Sequence, residues 1–107
     1  MLINKAIDRQ WAVTPYQGIE RALFRNNQHG GRSSFVQLVA GARFPRHQHQ
    51  GSEEVLVISG SVQIADQELA QHDYLFTDAG EVHEVLALTD AVIFVVSEKP
   101  TPVIEPD

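Results

Sequence analysis

Two of the five histidines in this chain frame a single residue, His47-Gln48-His49. Side chains at i and i+2 of a strand leave the same face. Both imidazoles therefore aim one way, with α-carbons about 6–7 Å apart, close enough to converge on one ion. Glu53 stands four residues after His49, past a short Gly51-Ser52 turn, and His83 falls at the start of a later strand. Three imidazoles and a carboxylate form a nitrogen and oxygen donor set that suits Zn, Fe, Mn, Ni or Cu and suits Ca or Mg poorly. The chain has no cysteine, which excludes disulfides, thiolate metal sites, iron–sulfur clusters and cysteine nucleophiles. A bare HxH is also compatible with two solvated histidines on an edge strand. The spacing to Glu53 sets His47 and His49 apart from His29, in a polar turn, and from His72, beside Asp73. To hold a metal the imidazoles must be neutral and Glu53 ionised, so affinity should fall as pH drops through the imidazole range.

Those side chains need rigid strands to hold them. The chain reads as short apolar-rich segments separated by Gly, Asn, Asp and Ser turns, which is the all-β pattern. Expected strands cover 19–25, 34–40, 43–49, 54–59, 61–65, 74–77, 82–88 and 91–96. The 63–72 window fits a turn with a short strand as well as it fits a helix. Many short strands at close spacing imply a sandwich or barrel. The 107 residues make one domain, with 43% hydrophobic and 21% charged residues, an ordinary globular composition. The segment 1–10 is expected to be an arm whose alternating Leu2, Ile3, Ala6 and Ile7 could add a strand to a partner's sheet edge. The stretch 98–107 holds three of the five prolines and is expected to be an extended tail.

The segment from Gly41 through His47, His49 and Glu53 to Gly60 resembles the first motif of the cupin superfamily: Gly, five residues, HxH, three residues, Glu, six residues, Gly. The second cupin motif is matched at Gly80 and His83, while His72, Asp78 and Ala87 stand where that motif has Gly, Pro and Asn. A finer resemblance runs from Trp11 through Gly18, the strand at 34–40 and Phe44-Pro45 to Gly51–Val57. These residues are similar to ChrR-like cupins, including the zinc-binding C-terminal domain of ChrR-type anti-sigma factors. The resemblance implies an all-β double-stranded β-helix, a cupin jelly-roll barrel in a single small domain, often paired as a homodimer. It implies that His47, His49, Glu53 and His83 hold one divalent transition metal, Zn, Fe, Mn or Ni. Only ten residues precede Trp11. The N-terminal helical domain that carries the anti-sigma activity in that group is not expected, and that activity is not carried over.

Strand parity extends the site. Counting from His47 puts Arg43 and Pro45 on the metal-facing side, with Arg43 as an anion clamp or as a solvated residue at the strand mouth. Val55 and Val57 follow Glu53, and Val85 and Ala87 follow His83, which gives an apolar pocket. The leading functional expectation is a metal-dependent enzyme, oxygenase-like, acting on a small organic molecule. The alternative is a zinc-holding sensor or regulatory domain without catalysis. The net charge of −6 argues against nucleic acid as a partner, because a phosphate binder needs surplus Lys and Arg. The first 46 residues carry seven basic groups against two acids, and the rest one basic group against twelve acids. The longest apolar run, 91–96, is too short to span a bilayer. The N-terminus has no signal-peptide pattern, so a cytoplasmic location is expected.

Overall fold

The computed structural model describes residues 1–104. Ten strands form two antiparallel sheets: β1 (Ala12–Val13), β2 (Ile19–Asn26), β3 (Arg32–Leu38), β4 (Arg43–Gln48), β5 (Glu53–Ser59), β6 (Ser61–Ile64), β7 (Gln67–Ala70), β8 (Tyr74–Thr77), β9 (Val82–Ala87) and β10 (Ala91–Ser97). The larger sheet runs β1-β2-β3-β10-β5-β8 and the smaller β4-β9-β6-β7. This is the expected double-stranded β-helix. The only helical element among the described residues is a 3-10 turn, Ala6–Asp8.

Alternation along the strands decides which face each sheet buries. In β5, Glu53, Val55 and Val57 point inward while Glu54, Leu56 and Ile58 point out, and Val62 and Ile64 do the same in β6. Their inward sets meet Ile19, Val36, Leu38, Val85, Ala87 and Ile93 in one core, the two-sheet packing expected of alternating strands. Gly60 makes the β5–β6 turn possible. It sits at φ +75°, and a Cβ there would lie 2.0 Å from the Asp90 carbonyl oxygen. The outer face of the larger sheet carries Phe24, Phe35 and Phe94 in edge-to-face contact, with Tyr74 and Phe76 about half exposed beside them.

The strand β7 falls inside the window that the sequence leaves open between helix and strand. It closes a two-residue hairpin with β6, Ile64 opposite Gln67, and Ala65 takes a positive φ of 55° to make the turn. The two ends of the chain take different forms. Residues 1–8 form no strand: Lys5 is followed by the 3-10 turn, and Leu2, Ile3 and Ile7 are exposed. The proline-rich stretch is not a free tail over the described residues. Gln48 N–H donates to the Pro102 carbonyl, Ile104 N–H donates to the Arg46 carbonyl, and Val103 bridges to His47. The stretch is thus a strap along the outer edge of β4; its last three positions, 105–107, lie outside the described residues.

Candidate metal centre

His47 comes from β4, Glu53 from the first position of β5 and His83 from β9, while His49 stands just past the end of β4. The β4–β9 ladder sets His47 directly opposite His83. The loop after His49 is tied to the turn that precedes β9: His49 N–H donates to the Glu81 carbonyl, and Gly80 N–H to the His49 carbonyl. Gly80, at φ +93°, supplies a backbone angle that L residues avoid. The four side chains offer donor atoms that all lie within 4.8 Å of one another. The three imidazole ring centres are 4.5–4.8 Å apart. All four residues named from the sequence are brought together, whereas His29 and His72 are exposed and lie outside the cluster.

Hydrogen bonds on the far side of two rings fix which nitrogen faces inward. A carbonyl oxygen only accepts, so His47 Nδ1–H donates to the Pro45 carbonyl at 2.9 Å and Nε2 presents its lone pair. His49 Nδ1–H likewise donates to the Glu81 carbonyl at 3.0 Å, and its Nε2 lies 3.0 Å from Glu53 Oε1. Burial pulls the His47 pKa below the ordinary imidazole value, opposed by its bond to Pro45. Burial, then the neighbouring His47 and His49, push His83 down to about 4. Burial also works against the charged form of His49. The hydrogen bonds to Glu53 and to the Glu81 carbonyl outweigh it, and the His49 pKa is raised. Two rings are therefore held neutral, ready to donate lone pairs, and the third shares a proton with a carboxylate.

This arrangement fits a divalent transition ion. Four buried or half-buried donors of the right type converge, and two of the rings carry the far-side carbonyl partners that orient metal-ligating histidines. Without a cation, a buried carboxylate among three imidazoles is costly unless a proton bridges them, which is the role the His49–Glu53 pair takes here.

A cavity of about 60 Å³ opens beside the cluster. Its walls are His47, Glu53 and His83 together with Val36, Leu38, Phe44, Val55, Ile64, Val85 and Ile93. A wider vestibule of about 380 Å³ lies outside it, shares Arg21, Phe44, Glu53, Val95 and Thr101 with it, and adds Tyr16, Arg32 and the strap residues 100–103. Val55 and Val85 line the cavity as the sequence implied. Val57 does not; it is fully buried in the core beneath. Arg43 lies outside as well, exposed and ion-paired to Glu84. The reason is a β-bulge between Phe44 and His47: three steps along β4 match two along β9, from Val85 to His83. The extra residue reverses parity, so Phe44, not Arg43 or Pro45, shares the inner face with His47. Phe44 packs edge-on against His47 and against Tyr16. Arg21, on β2 opposite Val36, is the cavity's cationic wall, and strand parity from Ile19 would have located it.

The profile of the ChrR Cupin-like domain family matches residues 2–102. The chain belongs to this family. No curated protein sequence matches this ChrR-like cupin at a significant level. Among solved structures it is similar to an acetylacetone dioxygenase from Acinetobacter johnsonii, at 15% identity and TM-score 0.83 over 98% of this chain and 77% of that one. It is similar to a putative acetylacetone dioxygenase from Methylibium petroleiphilum, at 19% identity and TM-score 0.86 over 100% and 88%. It also resembles the anti-sigma ChrR in complex with SigE from Rhodobacter sphaeroides, at 20% identity and TM-score 0.76. That match covers 88% of this chain but 51% of that one, so this chain spans about half the length of that neighbour. Such identities establish a shared fold. None of the described helices is long and apolar enough to cross a membrane.

Proposed function

We propose that the protein is a metal-dependent enzyme of oxygenase type, acting on a small organic molecule bound beside His47, His49, Glu53 and His83. The observation that carries this reading is the apolar cavity that shares three of its walls with the donor cluster. A purely structural metal needs no space beside it. A divalent ion held by these side chains supplies Lewis acidity and, if redox-active, electron-transfer chemistry toward dioxygen. The chain's own residues do the rest. Val36, Val55, Ile64 and Val85 exclude water from the inner chamber, and Phe44 fixes the His47 ring. The strap at 100–103 narrows the approach from solvent. The two dioxygenase neighbours share the fold at low identity and support the choice of chemistry only as analogy.

The second reading is a zinc-holding sensor or regulatory domain. It is favoured by the donor count, since three imidazoles and a carboxylate already fill a tetrahedral zinc shell, and by the family to which the chain belongs. A direct test is oxygen uptake by protein loaded with Fe(II), offered small diketones and short organic acids. Uptake that depends on both substrate and iron supports the enzyme. Its absence across the panel, with zinc alone retained at one ion per chain, favours the sensor. We further propose that the chain acts as a homodimer, since Leu2, Ile3, Ile7, Tyr74 and Phe76 leave apolar surface exposed.

A further inference from the structure

Among the described residues, two buried side-chain nitrogens have no hydrogen-bond partner: Arg9 Nε and Arg21 Nε. The first has a physical account. The Arg9 guanidinium lies 5.2 Å from the Phe24 ring centre and 4.8 Å from that of Phe35, where a cation is held by the aromatic faces. No ring contact of this kind holds Arg21, and no ion pair joins it to Glu53 or to another described carboxylate.

Its place in the sheet makes this more pointed. Arg21 has the parity of Ile19 and stands opposite Val36, both core residues, so it is a cation directed into the apolar face of a sheet. Burial, then the charge of Arg32, pull its pKa below the usual arginine value, with Glu53 and Tyr16 pulling the other way. An inward, unpaired guanidinium is costly. It is retained at low cost where an anion completes it.

The surroundings define that anion. Arg21 lines both the inner cavity and the vestibule, and Arg32 lines the vestibule with it. With Glu53 engaged by a divalent ion and the three imidazoles neutral, the space between Arg21 and the donor cluster carries a net positive charge. A carboxylate matches the fork of a guanidinium with two parallel hydrogen bonds. The inner chamber beyond it is walled by Val36, Leu38, Ile64 and Ile93, and its 60 Å³ holds roughly four water-sized positions. That is room for a short aliphatic chain.

We infer that Arg21 anchors a short-chain aliphatic carboxylate in the cavity beside the metal centre, with the head between Arg21 and the donor cluster and the hydrocarbon body in the inner chamber. The inference rests on the metal-centre reading above and names its ligand class. The neutral amide of such a ligand gives Arg21 one acceptor oxygen and no counter-charge, and binds more weakly.

Butyrate and its neutral amide, butanamide, test this on the full chain by NMR titration, with zinc as a redox-inert metal and again without metal. Zinc-loaded wild type binds butyrate about tenfold more tightly than butanamide, the ratio expected for one charge-assisted hydrogen bond. The shifts centre on Ile64, Val85 and Thr101. Arg21→Met, an apolar replacement of similar length, loses about tenfold in butyrate affinity while still binding one zinc per chain. Arg21→Lys falls between the two, and Arg43→Ala keeps wild-type affinity. Equal affinity for acid and amide, wild-type butyrate affinity in Arg21→Met, or shifts confined to remote surface residues would overturn the proposal. If wild type takes up no stoichiometric zinc, the metal-centre reading fails by itself. The comparison of wild type with Arg21→Met in the metal-free protein then decides whether Arg21 is the carboxylate anchor.

Discussion

His47 and His83 occupy directly opposed positions of the β4–β9 ladder, with ring centres 4.8 Å apart and ring planes at 90°. The strand pairing directs both Cβ bonds to the same place, and the Pro45 carbonyl and the Phe44 ring then hold the His47 imidazole there. His49 and Glu53 complete the set from either side of the β4–β5 turn. Replacing His49 by Ala removes a donor and also the proton-sharing partner of Glu53. The expected result is loss of stoichiometric metal binding by elemental analysis, whereas His29→Ala and His72→Ala retain one ion per chain. Equal losses at His72 and His49 would mean that the ligands have been misassigned.

The same imidazoles make the metal-free protein sensitive to acid. His83 titrates at about 4 in the folded chain against about 6.5 unfolded. Between those values the unfolded chain binds a proton that the folded chain refuses, so stability falls as pH falls through that window. His47, also lowered, acts in the same direction. His49 is raised and acts oppositely. Its contribution is fully present below the unfolded pKa and is lost as pH rises through the folded one. The Tm of metal-free protein should therefore drop between pH 7 and pH 4.5, with the His49 contribution partly offsetting the fall. The variant His83→Gln should flatten that slope. An unchanged slope in the variant would remove His83 as its source.

What the sequence made legible was what depends on short-range parity and fixed spacing. The four converging residues sit within or beside strands whose alternation is regular at those positions, and their convergence could be read without coordinates. The errors came where backbone geometry departs from regularity. One extra residue between Phe44 and His47 turns Arg43 outward and Phe44 inward, and Pro45, which cannot donate to the ladder, is the one local signal of that bulge. The β6–β7 hairpin turns at Ala65-Asp66, with neither the glycine nor the asparagine that signals such turns, which is why the sequence left that window open between helix and strand. In the sequence Arg21 is one more basic residue, because its place in the cavity wall depends on β2 lying across the barrel from β4 and β9, a non-local fact.

The outer surface carries the next expectation. Leu2, Ile3 and Ile7 are more than 60% exposed, and Tyr74 and Phe76 lie open on the large sheet. With the arm ending in a 3-10 turn, a partner is better met by the apolar faces than by strand addition. Light scattering should give about twice the 11.9 kDa chain mass at micromolar concentration. Replacing Phe76 and Tyr74 with Ser should shift the mass toward the monomer without loss of metal. A wild-type mass near 11.9 kDa would refute the homodimer.

Coordination number separates the enzyme from the sensor. A zinc held only for structure or sensing takes four protein donors in a tetrahedron and keeps no exchangeable position. A catalytic ion leaves at least one position open toward its substrate, and the cavity walled by His47, Glu53 and His83 lies where such a position would face. Cobalt(II) reports the difference, because tetrahedral sites absorb visible light far more strongly than five- or six-coordinate ones. The cobalt-substituted protein should show the weak spectrum of a higher-coordinate ion, and the spectrum should change when a small anion enters the cavity. Phe44→Trp, which narrows the entrance, should slow that change. An intense tetrahedral spectrum that no small ligand perturbs, with four protein donors at about 2.0–2.2 Å by X-ray absorption, would sink the oxygenase reading and leave the sensor.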